Sequence, residues 1–285
     1  MNFAIIGPSG YIASRHISAI SNLNGKIVSY HDISEYHFSN LDNQPQYYKN
    51  KSQFFESLVE DNIDFVAICS PNHLHCEQIC LALQQNINVI CEKPLIFNEK
   101  QLNTLEDSLV NSSADVYGIM QLRVHPVIKK LDRLFQDIGQ SKFSEGKLTF
   151  ITKRDENYKN SWKVSVEKSG GILFNLGIHY FDIVLKYFGL PLENHIIEKS
   201  LFRIKGISQF KNFKLNWFIS IDDCDVNRLE SNTLREFVFD DLEIDFSSVS
   251  NDLHYLNYQE IINNKNFNYD SLKSTHQFLI NINNG

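Results

Sequence analysis

Three segments of the chain carry residue types suited to cofactor binding and proton transfer. Gly7-Pro8-Ser9-Gly10-Tyr11-Ile12-Ala13 lies between an apolar run, Phe3 to Ile6, and a helix-like pattern in which Ile12, His16, Ile17 and Ile20 recur on successive turns. A glycine-rich turn between a first strand and a first helix is where backbone N–H groups and the positive helix end hold a dinucleotide pyrophosphate. The spacing is G-x-x-G-x-x-A rather than G-x-G-x-x-G, so a tight turn in another α/β fold is the competing reading. Asp32 ends the second expected strand, 22 residues after Gly10. A carboxylate there accepts hydrogen bonds from ribose hydroxyls and repels a 2′-phosphate, which points to NAD rather than NADP.

Glu92-Lys93-Pro94 closes the apolar strand Val89-Ile90-Cys91. Ligands of open α/β sheets bind at the carboxyl ends of strands. A lysine desolvated there is a candidate proton carrier, against the alternative of a solvated loop lysine. The turn Ser70-Pro71-Asn72-His73-Leu74-His75 follows another apolar strand and is expected to lie over the cofactor. The third segment, Ile172 to Phe188, reads as one long apolar helix. Its strongly polar side chains, Asn175, His179, Asp182 and Lys186, are spaced 4, 3 and 4 residues apart and share one stripe. That stripe faces either a polar cleft or network, or simply solvent. Lys142 to Lys168 holds seven Lys or Arg against four Asp or Glu in a chain of net charge −7. Such a basic island suits an anionic substrate, with scattered solvated lysines as the plain competitor. His73, His75, Cys76 and Cys80 invite a metal reading. No second ligand pair stands at zinc spacing elsewhere, so packing thiols in a helix are expected and no metal is assigned.

Positioning these residues requires a scaffold. Short apolar strands alternate with helical patterns as far as about Gln121: Lys26 to His31, Gln53 to Glu60, Phe65 to Cys69, Cys76 to Gln85, Glu99 to Val110 and Val116 to Met120. Continuous apolar strands covered by helices make a doubly wound parallel sheet, the Rossmann arrangement. The pattern then changes. A helix near Pro126 to Phe135 and a strand from Lys142 to Lys153 precede the long helix. Strand-like runs follow at Ile196 to Ile207, Phe213 to Ile221, Leu234 to Phe239 and Leu242 to Phe246, then helices at Leu253 to Asn263 and Tyr269 to Ile282. This predicts an α/β domain with an open, mainly antiparallel sheet. The expected domains are 1–121 and 122–285, sharing a cleft. With 285 residues, 42% hydrophobic and 21% charged, the chain is an ordinary globular one. The acidic balance argues against a general nucleic-acid binder. No apolar run approaches the roughly 20 residues of a membrane helix. Five cysteines and no export-type N-terminus are consistent with a reducing cytoplasm.

The Gly7 to Ala13 loop, Asp32, Ser70-Pro71-Asn72, Glu92-Lys93-Pro94 and Gly170-Gly171 through His179 and Asp182 together resemble the Gfo/Idh/MocA family of NAD(P)-dependent sugar oxidoreductases. Gln121-Leu122-Arg123-Val124-His125-Pro126, Ser161-Trp162-Lys163 and Asn175-Leu176-Gly177-Ile178-His179 are similar to a branch of it, the bacterial UDP-N-acetylglucosaminuronate 3-dehydrogenases of surface-polysaccharide synthesis. The resemblance covers nearly the whole chain and implies tetramers assembled through the open sheets. It implies a cofactor site made by Gly7, Ser9, Gly10, Tyr11, Ile12, Asp32, Ser70, Asn72, His75, Glu92, Lys93 and Gln121. It also implies oxidation of the 3-hydroxyl of a nucleotide sugar, with a keto acid as a candidate reoxidant of NADH. Lys93 or His179 takes the hydroxyl proton and Asn175 orients the sugar. Arg154, Lys159, Trp162 and Lys163 join Asn175 and His179 in binding substrate. Many relatives carry Asp where this chain has Asn175. Asn cannot accept a proton or hold a charge there, which puts an Asp–His relay in doubt and makes Lys93 the better candidate base. The alternatives are another sugar or inositol dehydrogenase of this fold, or a silent NAD-binding regulator.

Overall fold

The computed structural model describes residues 1–39, 41, 43–137, 143–240, 242–246 and 252–285. The first segments are β1 (Asn2–Ile6), α1 (Ala13–Asn22), β2 (Lys26–His31), β3 (Gln46–Tyr48), α2 (Lys51–Ser57), β4 (Phe65–Ile68), α3 (Asn72–Gln84), β5 (Asn88–Cys91), α4 (Glu99–Val110) and β6 (Val116–Gly118). There follow α5 (Ile128–Asp137), β7 (Ser144–Thr152), the short helical turns α6 (Glu156–Lys159) and α7 (Val166–Ser169), and the longer α8 (Ile178–Phe188). Next come β8 (Glu193–Lys199), β9 (Arg203–Gln209), β10 (Phe213–Ser220), α9 (Asp223–Val226), β11 (Thr233–Phe239) and β12 (Leu242–Ile244). The chain closes with α10 (Leu253–Asn264) and α11 (Tyr269–Asn284). Two compact units result: Met1–Ile119 with Asn251–Leu272, and Met120–Ser250 with Lys273–Gly285.

In the first unit, six parallel strands run in the order β3-β2-β1-β4-β5-β6. The doubly wound parallel sheet expected from the alternating pattern is present. Phe3, Ala4, Ile5, Val66, Ala67, Ile68, Val89 and Ile90 are all buried, as strands covered on both faces require. Residues 251–272, expected to belong with the second domain, pack here instead. Helix α10 buries Leu253, His254, Asn257, Tyr258 and Ile261, and the Tyr258 ring lies 6.2 Å from that of Phe3. Fully burying a side chain of this size stabilises by about 1.5–3 kcal/mol, enough to recruit a distant segment. Helix α3 starts at Asn72, four residues before the expected Cys76. Pro71, with φ −61° at the cap, is already set for a helix start, so the expected turn shrinks to Ser70-Pro71.

The second unit is built on a sheet ordered β12-β11-β7-β10-β9-β8. Only β7 and β10 pair in parallel; the other four pairings are antiparallel. The expected strand at Lys142 to Lys153 appears as β7; Lys142 itself lies outside the described residues. The single run expected at Ile196 to Ile207 is two strands, β8 and β9. Their turn lacks Gly, Pro or Asn and is held by Ser200, whose N–H donates to Arg203 O (2.8 Å) and whose Oγ accepts from Arg203 N (3.2 Å). The long helix expected at Ile172 to Phe188 is also divided: a π-helical turn, Leu173–Gly177, leads into α8. Gly177 explains the close approach there, since a Cβ on it would come within 2.6 Å of Ile219 Cδ1 in β10. Phe188 stacks on Phe213 at 4.0 Å, and Phe181 packs edge-on against Trp217 at 5.3 Å, so the apolar face of α8 is core.

Candidate functional site

In the first unit the loop after β1 closes on the end of β4. Gly7 has φ +74°, and a Cβ on it would lie 3.2 Å from Cys69 C and Ser70 N. Glycine is thus required both by conformation and by close approach. Gly7 N–H donates to His31 O (2.9 Å), and Gly10 N–H to Gly7 O (3.1 Å). Asp32 is buried and accepts from Ser9 N (3.0 Å), Ser9 Oγ (2.7 Å) and Ile33 N (2.6 Å), tying the loop to the end of β2. Ser9, Gly10 and Tyr11 are exposed, and no side chain caps the start of α1. Uncapped helix N–H groups beside an exposed glycine turn, with a carboxylate at the next strand end, fit a dinucleotide.

The neighbouring strand ends complete this edge of the sheet. Ser70 Oγ donates to Gln78 Oε1 (2.6 Å), and Asn72 is buried at the start of α3. His75 is fully buried; its ring nitrogens meet Pro94 O and Ser70 O at 2.7 Å each. It therefore joins the 70–71 turn to the Lys93–Pro94 turn, whose peptide is cis, and presents no surface to a ligand. Burial pulls its pKa below that of a free imidazole. The grouping of His73, His75, Cys76 and Cys80 does not converge: Cys76 Sγ donates to Gln101 O and Cys80 Sγ to Thr104 O, both against α4. Lys93 is half-buried just past β5. Glu92, expected on the cofactor, is 6% exposed and turned inward. Its Oε1 meets His16 Nε2 and His254 Nε2 at 2.9 Å each, and His16 Nδ1 meets Tyr258 Oη at 2.8 Å. Burial alone would raise the Glu92 pKa, but the hydrogen bonds from His16 and His254 hold it well below the usual carboxylate range. Sequence reasoning missed His16, His254 and Tyr258. The available signal was a histidine on the apolar stripe of α1.

In the second unit, Gln121 opens a 3₁₀ turn, Gln121–Val124. Its neighbour Arg123 grips Asp182 of α8 through Nε and Nη2, both 2.6 Å, and Thr275 Oγ1 donates to the same carboxylate at 3.0 Å. Asp182 is 1% exposed, so this stripe residue belongs to a buried ion pair. Lys186 pairs with Asp132 at 2.8 Å. Asn175 lies in the π-helical turn, and its side-chain nitrogen reaches Lys163 O, Ser169 Oγ (2.9 Å) and Gly171 O (3.2 Å). It braces the loop that carries Lys163. His179, half-buried, is the second residue of α8, two past the end of the π-turn. π-turns inside helices recur at functional sites because the inserted residue re-aims side chains.

The basic segment forms a cleft of about 590 Å³ whose charged lining is Lys153, Arg154, Lys163 and one carboxylate, Asp155, with Tyr158 and Trp162 as its aromatic walls. Asp155 caps α6 by accepting from Tyr158 N (2.8 Å), and the Ser161 and Ser165 side chains cap the turns that follow. These caps accompany a placement of Arg154 and Lys163 over the Tyr158 ring, 4.9 and 5.5 Å from its centroid. Arg154 Nε is buried with no hydrogen-bond partner among the described residues. Lys159, expected to bind substrate, instead bonds Asp223 at 2.6 Å. The structure therefore brings Arg154, Trp162 and Lys163 together and pairs Lys159 with the exposed Asp223.

The Gfo/Idh/MocA profile described as an oxidoreductase family, NAD-binding Rossmann fold, matches residues 1–117, and that of its C-terminal α/β domain matches residues 136–196. The structure is similar to the WlbA (WbpB) dehydrogenase from Thermus thermophilus in complex with NAD and UDP-GlcNAcA. Identity is 30%, coverage 99% of this chain and 94% of that one, and the TM-score 0.87. The same dehydrogenase with NAD and α-ketoglutarate aligns with a TM-score of 0.88 at 30% identity and the same coverage. Glucose-6-phosphate 3-dehydrogenase from Bacillus subtilis is 27% identical over 186 residues, 63% of this chain and 51% of that protein. The chain spans about half the length of the curated relatives it matches.

Proposed function

The chain belongs to the Gfo/Idh/MocA oxidoreductase family, whose N-terminal domain is an NAD-binding Rossmann fold, and from that premise we propose that it oxidises the 3-hydroxyl of a UDP-N-acetylglucosaminuronate-type nucleotide sugar to a ketone. One observation carries the substrate class: the cleft with Arg154 and Lys163 around Tyr158, in which a buried Arg154 Nε awaits an acceptor. Guanidinium and ammonium groups suit a pyrophosphate or a sugar carboxylate through charge-assisted hydrogen bonds. The Thermus neighbour's complex with UDP-GlcNAcA supports the same class.

Oxidation of a carbinol removes a hydride from carbon and a proton from oxygen. Bound NAD supplies the hydride acceptor. The Gly7–Gly10 turn and the uncapped start of α1 hold its pyrophosphate, and Asp32 selects against a 2′-phosphate. Lys93, in its neutral form, takes the hydroxyl proton, because Asn175 offers no carboxylate to charge a His179 relay. Arg154 and Lys163 bind the anionic groups, and Trp162 offers a flat face to a ring. We assign a 2-keto acid as the reoxidant of NADH, on the strength of the neighbour's α-ketoglutarate complex. Surface-polysaccharide synthesis is the proposed setting.

The test is a panel of nucleotide sugars, free sugars and inositols, each with NAD, followed by NADH absorbance. Turnover of UDP-N-acetylglucosaminuronate far above that of neutral N-acetylglucosamine is expected. Equal turnover of a free neutral sugar or an inositol would overturn the reading in favour of a polyol dehydrogenase. No turnover of any of them, with NAD bound, would favour a silent regulator.

A further inference from the structure

Behind Lys93 lies a buried polar cluster that the proposed reaction does not use. His16 from α1 is 0% exposed, Glu92 6%, His254 2% and Tyr258 0%. The Glu92 carboxylate divides its two oxygens between two tasks. Oε1 meets both imidazoles at 2.9 Å, and Oε2 accepts the backbone N–H of Lys93 at 3.2 Å. The Glu92 N–H donates to Ile68 O at 3.0 Å, so the motif is also tied to β4.

Burying a carboxylate is costly unless donors surround it, and an apolar trio would fill the space at less cost. What an apolar trio could not do is place an acceptor on one chosen peptide N–H. With Tyr258 donating its hydroxyl proton to His16 Nδ1, the His16 ring carries its own proton on Nε2, facing Glu92. Burial holds the His16 pKa below that of a free imidazole, consistent with this neutral donor form. The donors come from helices more than 230 residues apart in sequence, so the carboxylate is clamped by tertiary structure.

We propose that His16 and His254 are positioning residues that clamp Glu92 so that its second oxygen fixes the Lys93 peptide and, through it, the Lys93 amine. The proposal rests on the reading of Lys93 as the proton acceptor. It makes α10, whose tip supplies His254, part of the apparatus that orients the base.

The test uses the full-length chain with His254→Ala and His254→Gln, the glutamine keeping an N–H donor near the same place. Two quantities are read. The first is kcat and KM with UDP-N-acetylglucosaminuronate and NAD. The second is the acetylation rate of the Lys93 amine by an N-hydroxysuccinimide ester, followed by peptide mass spectrometry, which needs no substrate. His254→Ala should lower kcat about tenfold or more, as misplacement of a reacting group does, with the KM for NAD little changed. It should also change the Lys93 acetylation rate, and His254→Gln should restore most of both. Wild-type kcat and labelling in His254→Ala would overturn the clamp. So would equal damage in both variants, the mark of a merely structural role. Stoichiometric zinc in the isolated protein, lost together with activity on chelation, would overturn it in favour of a metal centre at the same His, Glu, His set, whose ligand atoms lie within 4.8 Å of one another. If the wild type oxidises no nucleotide sugar, the functional reading fails, and the labelling rates still decide the clamp.

Discussion

Lys93 sits half-buried one residue beyond Glu92, at the edge of the sheet where the Gly7 and Ser70 turns also end. General acid–base groups contribute about 10²- to 10⁴-fold to rate. Lys93→Ala should lower kcat within that range while NADH binding, followed by fluorescence, stays near wild type. Near-normal turnover would remove Lys93 from the role of base. His179→Ala should cost less, because Asn175 gives His179 no carboxylate to lean on. Asp32 makes a second residue-scale prediction. Its carboxylate holds Ser9 through two bonds, so Asp32→Ala loosens the loop as well as removing the ribose acceptor. NAD affinity should fall and the NAD over NADP preference narrow, both measured by titration of the two cofactors. A wild type that binds NADP as tightly as NAD would contradict the placement of Asp32.

Among the elements, α1, α3 and α8 carry buried polar groups, His16, His75 and Asp182. Arg123 of the 3₁₀ turn and Asp182 of α8 form a buried bidentate pair, and breaking such a pair leaves one charge uncompensated at a cost of about 3–5 kcal/mol. Asp182→Ala should therefore lower the unfolding midpoint in denaturant, far more than Lys186→Ala at the exposed end of the same helix. A pH effect follows from His16 and His75. Burial lowers both pKa values below the free value of about 6.5. Below that value the unfolded chain binds more protons than the folded one, so stability falls as pH drops towards the folded values and is regained above. Glu92, held well below the carboxylate range, adds a further loss at still lower pH. Thermal midpoints between roughly pH 5 and 8 should decline on acidification, and His16→Gln should flatten that slope. An unchanged slope would mean that His16 does not titrate on unfolding.

At the scale of the whole molecule, the predictions concern charge and assembly. Arg154 and Lys163 are only partly covered, so the affinity for an anionic substrate should weaken as salt rises, and Lys163→Ala should raise KM with a smaller salt slope. A salt-independent KM would argue against ionic capture in this cleft. We expect a tetramer, checked by light scattering on the eluted protein, as the open-sheet domains of the resembled branch imply. Among the described residues no helix is long and apolar enough to cross a membrane.

What the sequence determined by itself is whatever local pattern and chain continuity control. Apolar runs such as Phe3 to Ile6 and Phe65 to Ile68 made a parallel sheet readable, and the position of Gly7, Asp32 and Lys93 just past strand ends was readable because those ends are marked by a change of residue type. Arg154 and Lys163 were legible because only a few residues separate them. Tertiary structure decided what depends on contacts between distant segments. It placed α10 with the first unit, turned Glu92 inward to His16 and His254, gave Lys159 to Asp223 and Asp182 to Arg123, and inserted a π-turn at Asn175 where Gly177 meets β10. In each case the side chain's partner lies dozens to hundreds of residues away. Polar periodicity reports that a partner is needed, but only the packed fold supplies which one.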